Sequence, residues 1–213
     1  MTTPSPDRLA ASPDEPRLPP LPLWVPALNL GPGEAKAILQ HLLGLDPADR
    51  YLRFGHAAGD VQIERYVAAL DFARDDIFGV CNRRLELVAL AHLAYADRDE
   101  AEFGVSVSAH LRGMGFGRRL FEHAALLARN RGVSLLRIHA LSENQAMLRI
   151  AHSAGAQVER SGPDAEALLR LPAASTASRL EAWLESSAAQ LNYSVRQQAQ
   201  RLERVRSPRG EAK

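Results

Sequence analysis

The sequence has a single cysteine, Cys81, among its 213 residues, which excludes an internal disulfide or a cysteine-rich metal site and fits a reducing compartment. It also lacks an excess of charge of either sign. With 26 basic and 25 acidic residues the formal net charge is +1, so no global field recruits nucleic acid or an anionic membrane, and any anion site has to be local. No stretch reaches the ~18 consecutive apolar residues of a membrane span. The first residues carry prolines and acids where a secretory signal would have a basic end and an apolar run. The expectation is a cytoplasmic protein without a membrane partner. The seven histidines show no metal-ligand spacing, so no metal is expected either.

What is present is 46% hydrophobic residues, enough for one buried core with extensions and too little chain for two full-sized catalytic domains. Residues 1–23 hold Pro4, Pro6, Pro13, Pro16, Pro19, Pro20 and Pro22. They supply few backbone donors and little to bury, and read as an extended arm. Residues 24–172 read as the folded domain. Residues 173–213 read as a helical extension, with Leu180, Trp183, Leu184, Leu191 and Val195 forming an incomplete apolar stripe and arginines from Arg196 to Arg209 at its end.

Within the domain, Val25–Leu30 is a candidate first strand, and Ile38, Leu39, Leu42 and Leu43 point to a helix after Gly31-Pro32-Gly33. A second helix is expected from Asp60, as N-cap, to about Ala73. Ile77–Cys81, Leu85–Ala96 and Ala101–Ser108 read as an antiparallel meander, turning at Asn82-Arg83-Arg84 and Asp97-Arg98-Asp99. The period then becomes helical through Phe116, Leu120, Ala124, Leu127 and Ala128, and Gly132 ends the run. Leu135–Leu141 is the next strand; a helical crossover places it parallel to the strand before it. Ser142 and Gln145 have capping-box spacing ahead of a helix closed by Gly155. A hairpin of Ala156–Arg160 and Ala165–Leu171 follows.

The most informative stretch is V-S-A-H-L-R-G-M-G-F-G-R-R-L, Val107–Leu120, between the strand and the helix. Gly113, Gly115 and Gly117 let the backbone approach a bulky anion, and the helix after them offers free N–H groups and its positive dipole end. A Walker loop would end in Gly-Lys-Ser/Thr, whereas Gly117 is followed by Arg118 and Arg119. A dinucleotide fingerprint would read G-x-G-x-x-G after the first strand of a βαβ unit, and this one reads G-x-G-x-G after a meander.

The segment resembles the acyl-CoA-binding motif R/Q-x-x-G-x-G/A of the GNAT (Gcn5-related N-acetyltransferase) superfamily, with Arg112, Gly115 and Gly117 in the defining places. The likeness extends over about Asp60 to Leu171, through E-F-G-V-S-V and S-E-N-Q-A-M-L-R-I-A-H-S-A-G. Tyr51-Leu52-Arg53-Phe54 and Asn144–Gly155 are also similar to the GNAT domains of bacterial protein-lysine acetyltransferases. The resemblance implies an α/β fold in which a mixed sheet of about six or seven strands is flanked by about four helices, with the long C-terminal helix added.

It also implies an N-acetyltransferase with acetyl-CoA as co-substrate. The N–H groups of Gly113 to Arg118 would hold the CoA diphosphate, with Arg112 and Arg118 adding charge. Val105 and Val107 would offer main-chain groups to the pantetheine arm. Asn144 is either a cofactor contact or an ordinary polar residue of a first helical turn. An amine with a pKa of about 10 must lose a proton before it attacks. Glu102, at the start of the fourth strand, is the candidate base, the alternative being a solvated strand residue. The tyrosine that protonates the departing thiolate in relatives, seven positions after Asn144, is here Ala151, so no acid is assigned among water, Ser142 and His152. The acceptor would be a small amine, a protein lysine or a protein N-terminus, and the sequence does not choose among them. Two further readings stand beside the enzyme: a catalytically silent acyl-CoA sensor, and an interaction module whose C-terminal helix packs on a partner or makes a homodimer.

Overall fold

The computed structural model describes residues 27–82, 84–180, 182–184, 187, 188, 190, 193 and 194. The proline-rich arm 1–23, Arg83 of the expected turn, Leu191 and Val195 of the stripe and the arginine run 196–209 lie outside the described residues.

Seven strands form one sheet in the order β1-β2-β3-β4-β5-β7-β6. They are β1 Leu28–Asn29, β2 Asp76–Cys81, β3 Leu87–Tyr95, β4 Glu100–Val107, β5 Leu135–Leu141, β6 Gln157–Ser161 and β7 Asp164–Arg170. The α-helices among the described residues are α1 Ala35–Leu43, α2 Pro47–Phe54, α3 Asp60–Ala68, α4 Phe116–Asn130 and α5 Gln145–Ser153; residues 176–180 are helical as well. The meander and the parallel β4–β5 pair stand where the alternation and the helical crossover place them.

β3 is buried along most of its length because both faces of the sheet are covered. On one face Ala89, Ala91 and Leu93 pack with Phe103, Phe121 and Ala124 of β4 and α4. On the other, Leu87 and Leu90 meet Ile38, Leu42 and Ile63 of α1 and α3. Ile38, Leu42 and Ile63 are fully enclosed, so truncating any of them to alanine should cost about 2–5 kcal/mol.

Four local expectations differ from what is found. Of the expected strand Val25–Leu30, residues 25 and 26 lie outside the described residues, and of the rest only Leu28–Asn29 is strand. α2 appears where no helix was expected: Asp46 caps it by accepting from the Asp49 N–H at 2.8 Å, Pro47 opens it, and Gly55 closes it at φ 75°. No α2 residue is buried, and with Asp49, Arg50 and Arg53 among its eight residues the helix is polar on balance and too short to stand out as an apolar run. α3 starts from Gly59, with Asp60 already in its first turn and paired to Arg50 at 2.6 Å, and stops at Ala68 rather than near Ala73. α5 is capped by Asn144, whose Oδ1 accepts from the Met147 N–H at 3.1 Å. Ser142 is drawn away from a capping role by the hairpin, its hydroxyl lying 3.0 Å from the Gly162 carbonyl and 2.9 Å from that of Asp164.

The extension starts docked on the end of α4. Ser178 donates to Asn130 Oδ1 at 2.7 Å, and Asn130 Nδ2 returns a bond to the Ser178 carbonyl at 2.9 Å. Leu180, Trp183 and Leu184 are exposed beyond it, while Tyr193 packs against the layer of α1 and α3.

One feature of the sheet makes the site. β4 and β5 pair only through Glu100–Glu102 with Leu135–Arg137, although β4 continues to Val107 and β5 to Leu141. Past Glu102 the two strands diverge and the sheet opens.

Candidate functional site

A cleft of about 800 Å³ lies at this divergence, walled by β4 and β5 and closed by α2, the glycine turn and the start of α5. The β3–β4 register decides which β4 groups face it. Ser108 N–H bonds the Val88 carbonyl at 2.9 Å and Ala96 N–H bonds the Glu100 carbonyl at 3.2 Å. In an antiparallel ladder these fix the even-numbered β4 residues as the ones that exchange bonds with β3. The N–H and C=O groups of Phe103, Val105 and Val107 therefore point the other way, into the gap left by β5. Their side chains lie on the α4 face, and Glu102, Gly104 and Ser106 lie on the opposite face, towards α1 and α2.

At one end of the cleft the chain turns into α4. Gly113 and Gly115 adopt φ 74° and 86°, and a side chain at either would meet open space. Gly115 is the N-cap of α4. The backbone N–H groups from Gly113 to Arg118 find no acceptor among the described residues; the first bond of the helix is Arg119 N–H to the Gly115 carbonyl. Six free donors at the positive end of a four-turn helix, three of them in the turn before its first residue, form an anion seat. Gly117 differs from the other two. It is helical, and a Cβ there would lie 3.2 Å from Ile150 Cδ1, so its bareness lets α5 approach α4.

The expected charge at this seat is partly committed elsewhere. Arg112 pairs with Asp49 of α2 and lies 3.7 Å from Asp46. Arg118 bonds Glu122, one turn on, at 2.8 Å, with both side chains largely exposed. Asn144 lines the cleft, but its oxygen is used as the cap of α5. Ala151 is fully buried, so that position offers no acid. Ser142 is engaged by the hairpin and His152 is exposed on the last turn of α5. Cys81 is half-buried at the end of β2, away from the cleft-lining residues.

The other end of the cleft holds Glu102 and, beside it, residues to which the sequence reading gave no role. Glu102 is exposed on β4, and two residues along the same face Gly104 lies under the guanidinium of Arg53. A Cβ on Gly104 would meet Arg53 Nη2 at 2.8 Å, Cζ at 2.9 Å and Nη1 at 3.0 Å. Arg53 Nη2 donates to Tyr66 Oη at 2.8 Å, Tyr66 lies 2.8 Å from His92 Nδ1, and His92 Nε2 lies 3.0 Å from Asp75 Oδ2. The roles follow from the ends: a guanidinium only donates, so Tyr66 gives its proton to Nδ1 and His92 keeps its proton on Nε2 for Asp75.

Burial lowers the pKa of His92, the Arg53 charge adds to this, and the Asp75 bond does not reverse it. Burial would raise Asp75, but hydrogen bonds from Arg74, His92 and the Tyr95 N–H hold it below the usual carboxylate range. His41, behind the same face, bonds Ser106 Oγ at 2.9 Å, and burial lowers its pKa to about 4, with the Arg53 charge acting in the same direction. A signal for this network was present in the sequence: β3 reads L-V-A-L-A-H-L-A-Y, and an ionisable ring in such an apolar strand needs a partner.

The profile of the acetyltransferase (GNAT) family matches residues 46–156. Among solved structures, the GNAT domain of S. lividans PAT is 21% identical, with a TM-score of 0.58 over 68% of this chain and 89% of that one. An acetyltransferase structure from Acinetobacter baylyi is 16% identical, with a TM-score of 0.57 over 70% of this chain and 93% of the other. A GNAT-family acetyltransferase from Staphylococcus aureus is 10% identical, with a TM-score of 0.57 over 70% and 99%. At these identities the structures establish the shared fold.

Proposed function

This chain belongs to the acetyltransferase (GNAT) family, and from that premise we propose that it transfers the acetyl group of acetyl-CoA to an amine by direct attack on the thioester. Residues 24–172 form the catalytic unit in this reading, with 1–23 and 173–213 as appendages. The observation that carries it is the row of six amides, Gly113 to Arg118, unpaired among the described residues, at the mouth of a cleft where β4 runs on beyond its pairing with β5.

The CoA diphosphate sits on those amides, the backbone rather than Arg112 supplying most of the hold because Arg112 is paired with Asp49. The pantetheine arm lies along β4 as an added strand, bonding the inward N–H and C=O groups of Val105 and Val107. This brings the thioester beside Phe103, where a strand N–H can stabilise the developing oxyanion. Asn144 faces the arm from α5.

Glu102 accepts a proton from the acceptor ammonium, directly or through water. The freed amine bonds to the thioester carbon, the C–S bond breaks with its electron pair leaving on sulfur, and the nitrogen gives up its second proton to water. A thiol pKa of about 8.5 lets the thiolate depart and be protonated by water, consistent with Ala151 where an acid would stand. Release of free CoA across a panel of amines tests the reading: CoA released in step with acetylated amine supports it, and tight acetyl-CoA binding with no release from any amine rejects it.

Ala151 favours a second reading, a silent acyl-CoA-binding domain that works through its appendages. The same assay separates the two, since a sensor binds acetyl-CoA and releases nothing.

A further inference from the structure

Arg53 is a cation with no ion-pair partner among the described residues. Its Nη2 donates to the neutral Tyr66 hydroxyl, and its ring neighbours are the faces of Phe54 and Tyr66, at 5.2 and 5.4 Å from Cζ. Nε is enclosed and has no hydrogen-bond partner. Among the described residues no carboxylate forms an ion pair with it. The two nearest buried rings, His41 and His92, carry no negative charge, and Asp75 is separated from the guanidinium by both Tyr66 and His92. A half-buried charge with no ion-pair partner is costly to keep.

The surroundings hold this guanidinium in place. Tyr66, His92 and Asp75 form a chain in which each proton has one place to go. Gly104 provides the flat bed on which the guanidinium lies, and no other residue type would leave that space. Arg53 also lines the cleft on the side of Glu102. Glu102 and Gly104 are two residues apart on one face of β4, so the candidate base rises from the strand roughly 7 Å along from the glycine on which the guanidinium lies.

Resting on the acetyl-transfer reading above, we propose that Arg53 is the acceptor's anchor and that the acceptor is a small amine bearing a carboxylate, of the amino-acid class. The carboxylate takes the free Nη1–Nη2 edge in a bidentate contact, which places the amine of the same small molecule at Glu102. Tyr66, His92 and Asp75 are positioning residues: they fix the fork and touch neither the acceptor nor CoA. A small molecule is favoured over a protein side chain because the guanidinium lies against the backbone of β4 and lines the cleft.

The test uses the full chain saturated with CoA, titrated calorimetrically with N-acetyl derivatives of the twenty common amino acids and with their matching amides. At least one acid is expected to bind about 10- to 100-fold more tightly than its amide. Arg53→Gln should level that pair while leaving the affinity for CoA itself unchanged, and Arg53→Lys should retain part of the preference. Should Arg53→Gln fail to fold, Gly104→Ala, whose methyl displaces the guanidinium, is expected to weaken the acid and spare the amide. Acids and amides that bind alike, or not at all, overturn the proposal, as does an acid preference that survives in Arg53→Gln. Response to acidic lysine peptides with none to the free acids overturns it too. Release of CoA from acetyl-CoA with the free amino acids is scored separately. Selective acid binding without release removes the transferase reading alone; release without carboxylate preference removes this proposal alone.

Discussion

The two ends of the cleft are built from different materials. The end at α4 is made of main chain: six N–H groups at a helix start, two glycines at positive φ, and the bare edge of β4. The end at α2 is made of side chains from four separate elements, Arg53, Tyr66, Asp75 and His92. Backbone recognition leaves a compact trace in the sequence because glycine is required where φ is positive. Side-chain recognition leaves scattered residues that only folding unites. The first end suits a common cofactor, the second a particular acceptor.

Substitutions can break this division. The largest effect should come from Glu102→Gln, which removes the proposed base and should lower kcat by about 100-fold or more with acetyl-CoA affinity unchanged, as stopped assays of CoA release would show. Gly115→Glu should weaken acetyl-CoA by at least about 100-fold by calorimetry, because it puts a negative group on the anion seat and strains the left-handed N-cap. If Gly115→Glu disturbs acceptor affinity alone, the two ends have been misassigned.

The buried histidines of the acceptor end give a pH signature. His41 falls from 6.5 to about 4 on folding, and His92 is also lowered. A lowered pKa means the folded state binds fewer protons than the unfolded one. This part of the stability is fully present above the unfolded value of 6.5 and is lost as pH falls towards the folded one. Urea unfolding should show a loss of about 3 kcal/mol from His41 across that window, and His41→Gln should flatten the dependence. The smallest effect belongs to Arg112→Met. Its guanidinium is spent on Asp49 and half exposed, so CoA affinity should fall by less than about threefold. A larger loss would return a direct charge role to Arg112.

What could be read from the sequence follows the same division. β5 occupies Leu135–Leu141 as its run of strand-forming residues implies, and Gly132 takes φ 90° just past α4. The diphosphate turn was legible from three glycines, although only Gly113 and Gly115 are there for conformation, while Gly117 serves helix packing. α2 was not legible, because it buries no whole residue and its signals are a cap, a proline and a closing glycine. The Ser142–Gln145 spacing misled because the hairpin competes for the serine hydroxyl and leaves Asn144 to cap α5. Arg53, Tyr66 and His92 are 13 and 26 residues apart in turn, a separation at which no local pattern can announce a contact.

The most direct test follows the backbone amides of the labelled protein by NMR during titration with CoA and, separately, with pantetheine, which lacks the diphosphate. The account predicts saturable CoA binding with the largest shifts at Gly113 to Arg118, and little change at those amides with pantetheine. Saturating CoA that leaves these six amides unmoved, or an absence of saturable binding, would contradict it.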